Sequence, residues 1–110
     1  MNITIKDMDE VKVVQFEGNL DTNSSPEAEA QLTQLVDQGI KKIVVNFENL
    51  NFIASAGLRI LLVTAKSLKS KGGDLRICHM NENVQEVFEI SGFNTILSVF
   101  STESEALNGF

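Results

Sequence analysis

Ile43-Val44-Val45-Asn46-Phe47-Glu48-Asn49-Leu50-Asn51-Phe52-Ile53-Ala54-Ser55-Ala56-Gly57-Leu58-Arg59-Ile60-Leu61-Leu62 carries the pattern that decides the fold. Ile43 to Phe47 form an apolar run, as expected for a central strand buried on both faces. Glu48-Asn49-Leu50-Asn51 reads as a loop, and Phe52-Ile53 leads into the small residues Ala54-Ser55-Ala56-Gly57. Beyond them Leu58, Leu61, Leu62, Ala65 and Leu68 recur on one helical face, and Lys71-Gly72-Gly73 ends that helix. A buried strand thus hands over to an amphipathic helix through a turn of small side chains.

The same alternation extends in both directions. Downstream, Leu75–His79 reads as a strand, and Val84, Val87 and Phe88 form the inward face of a short helix. Ser91-Gly92-Phe93 closes that helix as a glycine cap with an apolar contact. Ile96–Phe100 is a last strand, and Thr102 with Glu105 forms a capping box for a final short helix. Upstream, Val11, Val13, Val14 and Phe16 alternate as a strand. The weaker Ile3-Thr4-Ile5 pairs with it as a hairpin across Asp7–Glu10. Gly18–Asn23 is a loop. Ser25-Pro26-Glu27 starts a helix with a cap, a proline at the first position and an acid in the first turn. Ala28, Leu32, Leu35 and Val36 follow at helical spacing, and Gly39 stops it. The order ββαβαβαβα predicts one α/β domain over residues 1–110. Its sheet is mixed, mostly parallel and five-stranded, with about four helices.

Bulk properties exclude several functions. The chain has 110 residues, 43% of them hydrophobic, and a net charge of -6. That charge repels a phosphate backbone, and no basic cluster offsets it, so nucleic acid is not an expected partner. Lys66, Lys69 and Lys71 complement the dipole at a helix end. No apolar stretch approaches the roughly 20 residues of a membrane span. The N-terminal residues lack the basic and apolar regions of a signal peptide, so a cytoplasmic location without membrane insertion is expected. With no Trp or Tyr, any aromatic contact must come from phenylalanine. Cys78, the only cysteine, excludes an internal disulfide or a multi-cysteine metal site and reads as core filling.

An enzyme is not expected. His79 is the one imidazole available as a base, and its neighbour Cys78 would point to the opposite face of the strand. Hydrolase, phosphate-loop and metal-ligand spacings are absent, as are the clustered acids of a receiver domain. No cofactor or metal is expected. The residue that stands out is Ser55, delivered to the start of a helix with its hydroxyl left uncrowded by Ala54, Ala56 and Gly57. Spacing alone favours the plainer reading, in which Ser55 is a helix cap accepting an amide hydrogen bond.

The segment Asn49–Leu62 resembles the signature of STAS domains, in which an aromatic and aliphatic pair precedes Ser, a small residue, Gly-Leu and an apolar helix. Gly18-Asn19-Leu20-Asp21 resembles the family's Gly-x-Leu/Ile-Asp loop. Lys71–Leu75 and Val84–Phe93 match its helix-to-strand turn and its third helix with the following Ser-Gly. The resemblance implies an anti-sigma-factor antagonist that binds an anti-sigma factor kinase of the histidine-kinase-like ATPase type while unphosphorylated, releasing sigma factor. It further implies that the kinase phosphorylates Ser55 to end the interaction and that a PP2C-type phosphatase restores it. Asp21, Ala54, Ser55, Ala56, Gly57 and Arg59 become the expected partner-binding residues. The match departs at Ala54, where phosphorylated members commonly carry aspartate, and at Arg59, where many have a small residue. The alternative is a constitutive STAS scaffold in a stressosome-like or transporter-associated complex.

Overall fold

The computed structural model describes all 110 residues. The elements run β1 (Asn2–Met8), β2 (Val11–Leu20), α1 (Ser25–Asp37), β3 (Lys42–Asn46), β4 (Leu50–Ile53), α2 (Ser55–Ser70), β5 (Asp74–Cys78), α3 (Glu82–Ser91), a 3₁₀ turn (Phe93–Thr95), β6 (Ser98–Phe100) and α4 (Glu103–Leu107). The sheet order is β1-β2-β3-β5-β6, with β4 also paired to β2. Only β1 and β2 are antiparallel, closed by a turn in which Asp9 adopts φ 60°. Every other pair is parallel, as helices between strands require.

The sheet has six strands rather than the expected five. β2 is long enough to serve two partners: Val11–Gln15 pairs with β3, and Gly18–Leu20 pairs with β4. The register shifts between Gly18 and Asn19, with Gly18 at φ 108°, and this irregularity re-aims the end of β2. Leu50–Ile53 escaped the sequence reading because the strand is four residues long and asparagine-rich. Its partner lies some thirty residues upstream in the chain. The last strand is also shorter than expected, since residues 93–95 form a 3₁₀ turn.

Alternating strand residues separate two cores. On one face Val14, Phe16, Ile43, Val45, Leu75 and Ile77 join α1, α2 and α3 in a cluster of 22 buried residues. The Phe16 and Phe47 rings lie 6.0 Å apart there. On the other face Val11, Val13, Val44 and Cys78 pack beneath Ala106 of α4, with Phe100, Leu107 and Phe110 around them. Cys78 is thus core filling, as read, and burial beside the carboxylates of Glu103 and Glu48 pushes its thiol up to about 12.

α4 has only five residues, so side chains fasten it. Thr102 Oγ1 accepts the Glu105 amide at 3.1 Å, the expected cap. Glu103 accepts from Lys6 and from Asn46, each at 3.0 Å. Burial opposes ionisation of Glu103, but these donors outweigh it and hold the carboxyl below its usual range. Arg76 lies 5.3 Å from the Phe100 ring centroid and 4.2 Å from that of Phe110. It donates to the carbonyls of Ala106 and Asn108. No helix is long and apolar enough to cross a membrane.

Candidate functional site at the start of the second helix

β2 and β4 end side by side. Leu20 is in register with Ile53, and the Ala54 amide donates to the Leu20 carbonyl at 2.8 Å. The chain then departs twice from this point: through Asp21 into α1 and through Ala54 into α2. Asp21 follows the end of β2 and Ser55 follows the end of β4, so both stand at one end of the sheet, the carboxyl end where parallel α/β sheets place their sites.

Ser55 is exposed and is the first helical residue of α2; Ala54, extended at φ -99° and ψ 171°, occupies the cap position. The capping reading of Ser55 is thereby replaced. An alanine side chain has no acceptor, so no side chain caps this helix. The Ala54 carbonyl accepts the amides of Gly57 and Leu58 at 2.9 and 3.1 Å. The amides of Ser55 and Ala56, in the first turn, have no intrahelical acceptor and lie at the positive end of the helix dipole. Ala54 and Ala56 are half-buried, and Arg59 is exposed one turn along without an ion-pair partner.

Gly57 is fully enclosed, and its glycine identity is set by packing. A Cβ there would lie 2.7 Å from Leu20 Cγ and 2.9 Å from Ile53 Cγ1. The missing side chain lets α2 start directly against the ends of β2 and β4. Of the residues expected at a partner surface, Gly57 is buried, while Ser55 and Arg59 are exposed.

Asp21 has local work as well. Its Oδ1 accepts the amides of Asn23 and Ser24, both at 3.0 Å, and the Ser24 hydroxyl at 3.1 Å. In return Ser24 Oγ accepts the Asp21 amide at 2.9 Å. The Ser24 amide is the largest influence holding the Asp21 carboxyl below its ordinary range, against a smaller opposing effect of burial. The cap position of α1 belongs to Ser24, not Ser25; Ser25 is the first helical residue and donates to the Asp21 carbonyl at 2.5 Å. The Asp21-x-x-Ser24 spacing was the available signal for this turn. Asn81 was also missed: it caps α3 through Val84 and holds the Leu50 carbonyl at 2.8 Å, fixing β4 from its far end.

The sequence profile of the STAS domain matches residues 2–106. The chain is 34% identical over 110 residues to a Bordetella bronchiseptica protein with the provisional name anti-sigma factor antagonist BtrV, covering 100% of this chain and 95% of that one. It is 31% identical over 99 residues to the anti-sigma-B factor antagonist of Staphylococcus aureus, covering 90% and 92%. The phosphorylated form of the Bacillus cell fate determinant SpoIIAA superposes with a TM-score of 0.75 at 25% identity, covering 97% of both chains. The chain belongs to the STAS domain family.

Proposed function

We propose that this chain is an anti-sigma factor antagonist switched by phosphorylation of Ser55. The observation that carries the reading is the exposed Ser55 hydroxyl at the first turn of α2, above helix-start amides that no side chain caps. The names of the relatives supply the regulatory class. Unmodified, the chain binds an anti-sigma factor kinase of the histidine-kinase-like ATPase type and releases sigma factor. The γ-phosphoryl group of ATP passes to Ser55 Oγ, the hydroxyl proton leaves, and ADP departs. A PP2C-type phosphatase returns the hydroxyl by hydrolysis, with inorganic phosphate as product.

Phosphorylation adds about -1.5 to -2 charges at pH 7. The helix start accommodates that charge, so the domain keeps its fold. A partner surface closed over Ser55 would have to desolvate the phosphate beside the ionised Asp21. A penalty of about 2–4 kcal/mol, roughly 30- to 1000-fold in affinity, is enough to end binding.

Ala54 favours a second reading, a constitutive scaffold, because no carboxylate precedes Ser55. Incubation with ATP and the ATPase-type anti-sigma kinases of the host, followed by mass-spectrometric mapping, separates the two. Phosphate on Ser55 supports the switch. A chain that binds its kinase without ever being modified supports the scaffold.

A further inference from the structure

Seven phenylalanines are the chain's whole aromatic complement. Phe16, Phe47 and Phe88 are buried in the larger core, and Phe93 packs against it. Phe100 and Phe110 flank Arg76. Phe52 alone is exposed, at 48%. Its strand is held firmly: Leu50 and Ile53 are each 1% exposed, Asn81 holds the Leu50 carbonyl, and Leu20 holds the amide of Ala54. Between these two buried residues Phe52 remains at the surface. Its register partner Asn19 and its neighbour Asn51 are exposed and uncharged.

We infer that Phe52 is the apolar anchor of the surface that meets the anti-sigma factor kinase, seated in an aliphatic hollow of that partner beside the site that reads Ser55. This assignment rests on the switch reading above and adds the contact that supplies affinity. Three residues of chain span at most about 11 Å, so Phe52 lies within that distance of Ser55. A stable interface covers about 800 Å² per partner, a disc of about 16 Å radius, so a partner centred on Ser55 also covers Phe52. Aromatic side chains in a desolvated interface centre dominate binding. The adjoining Asn19 and Asn51 bring no charge to desolvate. Because β4 is already ordered, little conformational freedom is lost when the ring docks. The division of labour is physical: Phe52 supplies affinity in both states, and Ser55 decides whether the surface can close.

The test is calorimetry with the host's ATPase-type anti-sigma kinase as probe, using full-length wild type, Ser55-phosphorylated wild type, Phe52→Ala and Phe52→Leu. Phe52→Ala is expected to weaken binding about 30-fold, and Phe52→Leu to lose less than about 10-fold because it keeps an aliphatic body. Both should melt within a few degrees of wild type, and Phe52→Leu decides the matter if the alanine variant unfolds. Wild-type affinity in both variants, with phosphate on Ser55 still abolishing binding, overturns the anchor and leaves the switch standing. Equal binding of phosphorylated and unmodified wild type overturns the switch, and this assignment falls with it. Unchanged kinase affinity together with loss of self-association on sedimentation gives the ring to a second copy of the chain and likewise overturns the proposal.

Discussion

At the start of α1, Ser24 and Ser25 are both engaged: one exchanges hydrogen bonds with Asp21, the other donates to the Asp21 carbonyl. At the start of α2, joined to it through the Leu20–Ala54 hydrogen bond, the flanking residues are alanines and Ser55 is exposed. Two helices begin at the same end of the sheet with serines in their first turns. The first helix start is closed by its own side chains. The second is left open, and its stability comes from the packing of Gly57 under Leu20 and Ile53. A serine at a helix start is therefore not by itself informative. What matters is whether the surrounding side chains already use its hydroxyl and the amides beside it.

The sharpest break of this comparison is all-or-none. Ser55→Ala is expected to abolish phosphorylation by the host kinase while Ser25→Ala, which removes a structural hydrogen bond, leaves it intact; phosphopeptide mapping of both variants checks this. Undiminished phosphate in Ser55→Ala would refute the open helix start as the acceptor site. Ser55→Ala should cost at most about 0.5 kcal/mol, as an exposed side chain outside any cap.

Next in size is Gly57→Val, which drives new carbon atoms into Leu20 and Ile53. Overpacking of this kind costs about 1–3 kcal/mol, at about 4–8 °C of melting temperature per kcal/mol in domains of this size. Calorimetric melting would show it, and an unchanged melting temperature would mean that α2 can shift away from β2 freely.

A smaller effect is expected from Asp21→Ala, which undoes the closed helix start and should lower the melting temperature by a few degrees while weakening kinase binding. Its pH dependence has a definite sign. The folded chain holds the Asp21 carboxyl below its ordinary 3.8, so its contribution is full above that value and is lost as pH falls through the depressed one. The gap between wild type and Asp21→Ala should therefore narrow in denaturant titrations as pH falls below that ordinary value. A constant gap would assign the loss to the turn's shape rather than to its charge.

The smallest expected change is in the stability of Ser55→Asp. A carboxylate at the open start is favourable by about 0.3–1 kcal/mol at low salt and less at high salt. Arg59, one turn on, is placed to share that charge. Kinase binding should still weaken, though less than with the doubly charged phosphate.

Most of the scaffold could be read from the chain because its signals are local. Apolar runs marked β3 and β5, Gly92 marked the end of α3 with φ 78°, and Thr102 marked the start of α4. The reading fell short where distant segments decide the outcome. Leu50–Ile53 becomes a strand only because β2 continues past β3 to receive it. Ser55 is displaced from the cap position because the Ala54 amide is claimed by Leu20. At the site, Ser55 stood out from the local motif, whereas Asp21 and Arg59 were expected there only through the family resemblance. The enclosure of Gly57 and the exposure of Phe52 needed the third dimension, since they depend on which strands lie beside β4.

The small second core gives the protein an internal chemical clock. Cys78 is fully covered by the short α4, and its thiol, raised to about 12, stays protonated near neutral pH. A thiol reagent can react with it only after α4 and the Arg76–Phe110 contact have lifted away. The alkylation rate thus counts those openings, residue by residue silent elsewhere because the chain has no second cysteine. Weakening one fastener that carries no charge, as in Thr102→Ala, should speed the clock before any change appears in the helices on the opposite face.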